Sequence, residues 1–300
     1  MNHRLTRRSF TIMLGAGMAA SLMPGGAARS FAQTGEQAFA QRLADIEAGL
    51  QGRLGVAVLD TASGRRWLHR GNERFPMCST FKVVACGAVL ARVDAGEEDL
   101  DRRIVFAKSD LVTYSPVTET KVGGKGMTLA EICEAAMTES DNTAGNIILD
   151  SLGGPAAVTA FARSLGDPAT RLDRIETDLN EATPGDPRDT TTPDGMTTSL
   201  AALAFGGRLS PASTRQLTGW MRANKTGDAR LRAGVPKDWD VGDKTGTGDR
   251  GTANDVAILY PPKREPVIVS VYVTETEAAI GERNAAIAEV GRAVAAALGT

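Results

Sequence analysis

Apolar residues recur at helical spacing over residues 36–51, where Phe39, Leu43, Ile46 and Leu50 share one face. Residues 55–60 read as a strand, 61–64 as a turn and 65–69 as a second strand, so the pair makes a hairpin. An apolar, alanine-rich run predicts a helix over 79–95, closed by Gly96. From 97 to 222 the pattern is helices joined by loops. These helices fall at 129–138, 142–152, 155–165, 197–205 and 211–223. Thr128 and Glu131 have the spacing of a capping box for the first of them. Residues 166–195 are rich in Asp, Pro, Thr and Gly and lack periodicity. A loop of that length is usually functional or disordered. Strand character returns at 239–244, 252–260 and 266–274, and 282–298 is a closing amphipathic helix.

A helix and hairpin at one end therefore match strands and a helix at the other. The economical arrangement is an α+β fold, an α/β sandwich. One five-stranded antiparallel sheet is flanked by the N- and C-terminal helices and interrupted by an all-helical insertion. The expected division is an α/β domain of residues 33–72 and 223–300, and a helical domain of residues 73–222. The second carries the polar loop 174–189.

Composition narrows the setting. Apolar content of 42% and charged content of 23% are those of an ordinary soluble protein, and no basic run suggests nucleic acid. Residues 1–32 read as a signal peptide. Arg4, Arg7 and Arg8 form a basic start, 11–23 is apolar but too short to span a bilayer, and Ser30-Phe31-Ala32 suits cleavage. Thr6-Arg7-Arg8-Ser9-Phe10 looks like a twin-arginine export signal. The expected product is exported, periplasmic or secreted, and free of the membrane after cleavage. Residues 1–32 hold four arginines and no acid, leaving 30 basic and 36 acidic residues, a net charge near −6.

Histidine changes the chemistry available. Of the two histidines, His3 lies in the signal and His69 in an apparent strand. A Ser-His-Asp site or a histidine-based metal site would rest on His69 alone. Chemistry here should use carboxylates, lysine, hydroxyls and amides, with no metal and no cofactor.

Ser79-Thr80-Phe81-Lys82 places a hydroxyl and an amine one helical turn apart, on the same face. Serine needs an adjacent base or a favourable field to act as a nucleophile, and Lys82 can serve as that base if burial and nearby charge lower its pKa. Three further polar segments follow: Ser140-Asp141-Asn142, then Glu176 to Asn180, then Lys244-Thr245-Gly246-Thr247-Gly248. Each alone reads as a cap, a solvated loop or a strand end. Together, in this order and at these separations, they form a specific pattern.

On these motifs the mature chain resembles the class A serine β-lactamases throughout its length. The segments Asp110 to Thr118 and Gly251 to Asp255 look like further family segments. The resemblance implies an active site between the two parts of the fold, a small-molecule β-lactam substrate and a monomer. It implies Ser79 as nucleophile, Lys82 as its partner and Ser140 as proton relay to the lactam nitrogen. It places the oxyanion donors at the backbone N–H groups of Ser79 and Thr247. Glu176, with Asn180, would activate the deacylating water. Lys244, Thr245, Gly246 and Thr247 would take the substrate carboxylate, with Arg230 assisting. Asn142 would hold the substrate amide, Tyr114 would line the entrance, and Arg174 with Asp189 would close the loop neck.

The same resemblance implies a Cys86–Cys133 disulfide and leaves Cys78 free. Gly248 stands where carbapenem-hydrolysing members often have a cysteine facing the position of Cys78, so that bridge is not expected. Thr177 stands where many members have proline, so a cis peptide at Glu176–Thr177 is not assumed. The alternative activity is that of a penicillin-binding carboxypeptidase or transpeptidase, which lacks an efficient deacylating base.

Overall fold

The computed structural model describes residues 25–299, with side chains from residue 35 onward. The twin-arginine motif and the apolar stretch at 11–23 lie outside the described residues. Helix α1 (Gly25–Leu50) leads into β1 (Arg53–Asp60) and β2 (Arg66–His69). A short strand β3 (Phe75–Pro76) and a 3-10 turn (Cys78–Thr80) precede α2 (Phe81–Asp94). Strands β4 (Arg103–Ile104) and β5 (Met127–Thr128) come before α3 (Leu129–Thr138), α4 (Asn142–Leu152) and α5 (Pro155–Ser164). Strand β6 (Thr190–Thr191) is followed by α6 (Pro193–Ala204), α7 (Pro211–Arg222) and α8 (Leu231–Gly234). Strands β7 (Asp240–Thr247), β8 (Ala253–Tyr260) and β9 (Val267–Thr274) and helix α9 (Ile280–Ala297) complete the order.

The five long strands form one sheet in the order β2-β1-β9-β8-β7, with every pair antiparallel. The α+β arrangement read from the sequence is therefore present, with β9 at the centre and β7 on an edge. Both faces are covered, and β9 shows why. Successive side chains of a strand point to opposite faces. Val267, Val269, Val271 and Val273 join the core under α1 and α9, with Leu43, Ile46, Ile287 and Val290. Ile268 and Tyr272 join the core on the other face, with Phe81, Leu200 and Met221 of α2, α6 and α7. Ser270, also on that face, is satisfied by a hydrogen bond from Thr197 Oγ1 at 2.8 Å.

Element boundaries differ from the expectation in ways that matter locally. Helix α1 starts at Gly25, not at residue 36, and runs through Gly26 and Gly35. Helix α6 starts at Pro193, where Thr192 caps Gly195 N–H and proline suits the first helical position. Strand β7 runs on to Thr247, so the whole Lys-Thr-Gly-Thr segment is extended backbone on the sheet edge. Strands β3 and β6 pair, as do β4 and β5, and neither two-residue pair has a periodicity to read.

The disulfide expectation is corrected. Cys86 and Cys133 are free thiols, as is Cys78, and all are buried. The Cys86 Sγ faces the carbonyl oxygen of Cys133 at 3.9 Å. The hydrogen bond from Cys86, with burial behind it, holds the Cys133 thiol well above the usual range. The helices α2 and α3 bring the two residues together as neighbours, without a bond between the sulfurs.

Candidate active site

The 3-10 turn carries Ser79, and α2 opens one residue after it. Lys82 therefore sits in the first turn of α2, with its Nζ 3.0 Å from Ser79 Oγ. Lys82 is fully buried. Its Nζ also reaches Glu176 Oε1 at 2.8 Å, the Ser140 carbonyl at 2.9 Å and Asn142 Oδ1 at 2.8 Å. The last three are obligate acceptors, and an ammonium has three protons to give them. The Ser79 hydroxyl is left to turn toward Glu176 Oε1, 3.3 Å away.

Ser140 lies at the junction of α3 and α4 with φ +61°. Asp141 fixes this junction. Its carboxylate caps α4 at Ala144 N–H and accepts from Val117 N–H, Thr118 N–H and Thr118 Oγ1. Asn142, the first residue of α4, accepts from Lys82 and donates to the Thr113 carbonyl at 2.9 Å. Its backbone N–H bonds the Tyr114 carbonyl, so Tyr114 stands at the cleft mouth, 56% exposed.

Glu176 is 2% exposed. Its Oε2 accepts from Asn180 Nδ2 at 2.6 Å, so the two residues are directly bonded. Asn180 Oδ1 is buried and has no partner among the described residues. The Glu176–Thr177 peptide, where the sequence does not allow a cis bond to be assumed, is cis although Thr177 is not proline. Asn146 grips Glu176 at both backbone groups, accepting from its N–H at 2.8 Å and donating to its carbonyl at 2.9 Å. At the loop neck Arg174 Nε meets Asp189 Oδ2 at 2.6 Å, and Asp189 Oδ1 accepts from the N–H groups of Asp173 and Arg174.

Strand β7 forms the opposite wall. Lys244 Nζ lies 2.9 Å from Ser140 Oγ and 2.9 Å from the Thr245 carbonyl. Burial, and then the charge of Lys82, pull the Lys244 ammonium down to about 7. Thr245 Oγ1 pairs with Thr226 Oγ1 at 2.5 Å. Arg230 Nη2 donates to Thr247 Oγ1 at 2.7 Å, while its Nη1 holds the carbonyls of Gly246 and Asn254. A Cβ at Gly248 would come within 2.6 Å of Cys78 Sγ and 2.8 Å of the Asn180 carbonyl, so this end of the strand lies tight against the loop.

The predicted residues thus converge. Ser79, Tyr114, Ser140, Asn142, Asn180, Arg230, Thr245, Gly246 and Thr247 line one cavity of about 390 Å³, with Lys82 and Glu176 behind it. A larger cavity, about 640 Å³, lies between α1 and α9; it is lined by Arg42, Asp45, Glu277, Glu282 and Glu289 among others, with no serine, cysteine or lysine in its wall. Sequence reasoning passed over Asn146 and Thr226. Asn146 stands four residues after Asn142 on α4, and that same-face spacing was a usable signal. Thr226 lies outside any regular element and offered none.

Comparison with known proteins agrees with the geometry. The family model described as the beta-lactamase enzyme family matches residues 38–298. The chain is 51% identical over 258 residues to beta-lactamase AST-1 of Nocardia asteroides, covering 86% of this chain and 83% of that protein. It is 44% identical over 251 residues to beta-lactamase AER-1 of Aeromonas hydrophila, covering 84% and 83%. The solved structure of an ancestral (GNCA) class A beta-lactamase is 63% identical, with a TM-score of 0.85 over 86% of this chain and 99% of that one. Together with the ordered motifs in one cleft, these matches show that the chain belongs to the class A β-lactamases.

Proposed function

We infer that this protein hydrolyses the β-lactam amide of penicillins and cephalosporins through an acyl-serine intermediate, and so confers resistance to them. The observation that carries the reading is the bonded set Ser79, Lys82, Glu176 and Asn180 at the floor of the cleft. Ser79 Oγ attacks the lactam carbonyl, and its proton leaves toward Glu176 directly, or toward Lys82 once that amine has given one of its own protons to Glu176 Oε1. The oxygen that gains charge is taken by the N–H groups of Ser79 and Thr247. Donors placed ahead of such charge are typically worth about 3 kcal/mol of barrier each. Strand β7 is a sheet edge, so it can present free backbone groups to the cleft.

Ser140, between Lys244 and the Lys82 side of the site, relays a proton to the lactam nitrogen. Glu176 then activates a water against the acyl carbonyl, with the free Asn180 Oδ1 as its second partner. The presence of this base favours hydrolysis over the carboxypeptidase or transpeptidase reading. Asn142 holds the substrate's side-chain amide, and Tyr114 borders its approach.

The substrate carboxylate is assigned to Lys244, Thr245, Thr247 and Arg230. The Arg230 guanidinium is 5% exposed, and its bonded partners are two carbonyls, a hydroxyl and the Asn284 side-chain oxygen. None of these is an anion, so a substrate carboxylate can pair with the guanidinium, although the charges of Asp255 and Asp243 also act on it. Lys244 makes the binding pH-dependent. Above about 7 it loses its proton in the free enzyme. A bound carboxylate favours the ammonium, so binding takes up a proton. The dissociation constant of a penicillin for Ser79→Ala protein should rise about tenfold between pH 6 and pH 8. Calorimetry in buffers of different ionisation heat measures both effects; a flat profile without proton uptake would remove Lys244 from this role.

The remaining assignments extend the same reading. Residues 33–72 and 223–300 form one unit and 73–222 the other, with the cleft between them. The segment 1–32 directs twin-arginine export to the periplasm, where the mature chain works as a monomer. The test of the central activity is direct. Mature protein given a chromogenic cephalosporin should turn over many equivalents. One equivalent without turnover would support the penicillin-binding reading, and no acylation would support an idle binding protein.

A further inference from the structure

Asn254 of β8 is fully buried, and its side chain hydrogen-bonds no residue of the assigned chemistry. Its Nδ2 donates to two carbonyls at once, Pro76 at 2.9 Å and Met77 at 3.0 Å. Both partners are acceptors, so the amide must face them, and its Oδ1 is left buried without a partner. Buried polar groups are nearly always satisfied, and an orphaned one calls for an explanation. The explanation lies in what the two carbonyls precede: they belong to the two residues before Cys78, and Ser79 follows.

The segment is held from two sides, and the Met77 carbonyl also accepts from Thr80 N–H at 3.2 Å and Thr80 Oγ1 at 2.8 Å within the turn itself. Met77 N–H donates to the Asp189 carbonyl at the loop neck, and Asn254 holds the carbonyls to the sheet. Between clamp and nucleophile lies only Cys78, at φ +45°. The direction of the Ser79 N–H is then set by where residues 76–77 are fixed. The other oxyanion donor, Thr247, is set by the same strand, because Asn254 is the register partner of Gly246. Arg230 Nη1 joins the carbonyls of that pair. Strand β7 also passes close by: a Cβ at Gly246 would fall 2.7 Å from the Met77 carbonyl and 3.2 Å from Asn254 Nδ2.

We infer that Asn254 is a positioning residue that sets the separation of the two oxyanion-hole amides, the N–H groups of Ser79 and Thr247, by tying the turn before the nucleophile to the strand beside β7. The inference rests on the assignment of those amides made above. It predicts a loss confined to the state in which an oxygen sits between them. Removing one donor outright typically costs 10²–10³ in rate, and a misplaced donor should cost about tenfold.

The experiment compares Asn254→Ala and the shorter hydroxyl variant Asn254→Ser with Val269→Ala, which thins the core on the opposite face of the same sheet. An aryl boronic acid, which forms a tetrahedral adduct on Ser79, probes the hole. Its affinity should fall about tenfold in Asn254→Ala and less in Asn254→Ser. In a Glu176→Gln background the infrared carbonyl stretch of the acyl-enzyme should move to higher wavenumber in the same order. Penicillin affinity in a Ser79→Ala background should not change. Wild-type boronate affinity and stretch in either Asn254 variant, or equal shifts in Val269→Ala at matched loss of melting temperature, would overturn the inference. A wild-type protein that takes up neither boronate nor penicillin would overturn the assignment of the amides, and this inference with it.

Discussion

Glu176→Gln should convert the enzyme into one that binds a penicillin once and keeps it. Intact mass should rise by the mass of the whole substrate, since opening the lactam ring releases no fragment. Turnover should fall by at least about 10³, toward the upper part of the range for losing a positioned general base. The substitution keeps the volume and the contact with Asn180 while removing the carboxylate that would take the water's proton. The geometry makes the effect specific to deacylation. Glu176 Oε2 is bonded to Asn180 at 2.6 Å, whereas Ser79 Oγ contacts both Oε1 at 3.3 Å and Lys82 Nζ at 3.0 Å. The serine proton has two outlets; the proposed water has one base. Rapid mixing with a chromogenic cephalosporin should show a burst of one equivalent followed by very slow release. Steady-state turnover equal to wild type would remove Glu176 from deacylation.

The parts of the site legible in the sequence were those whose chemistry is local. Ser79 and Lys82 are neighbours on one helix face, and Lys244 to Thr247 are consecutive on one strand. Their meeting with Glu176 was legible only through the ordered motif set, because the separation of Ser79 and Glu176 is 97 residues. The long strands announced themselves because helices cover both faces and make every position of β9 apolar or satisfied. What escaped was carried by contacts across the fold. Asn146 acts through a backbone that approaches from a loop, and Asn254 acts through a turn 177 residues away. Only its spacing from Asn142 on α4 marks Asn146, and no periodicity marks Asn254. The cysteine pair shows the converse. Cys86 and Cys133 do lie together, but proximity and bond formation are separate facts.

Lys82→Met should be as damaging to acylation as the first substitution is to deacylation, and should also weaken the fold. Methionine approximates the volume but donates nothing. Glu176 Oε1, the Ser140 carbonyl and Asn142 Oδ1 then lose their shared donor in a fully buried position. Breaking a buried ion pair from one side typically costs about 3–5 kcal/mol, because the remaining charge has no compensation. For a chain of this size that is on the order of a 10 °C drop in melting temperature. The acylation rate should fall by about 10³–10⁴, with loss of both the adjacent base and the field at Ser79. The double variant Lys82→Met/Glu176→Gln separates the two effects. Removing both charges should recover most of the lost stability, since well-packed neutral groups can replace a buried pair at little cost. It should recover none of the acylation. Calorimetry and stopped-flow kinetics on the two single variants and the double variant give the coupling in each quantity. If stability fails to recover, the Lys82–Glu176 contact at 2.8 Å is not an ion pair in the folded protein. If acylation survives Lys82→Met, the serine proton leaves by the Glu176 route alone.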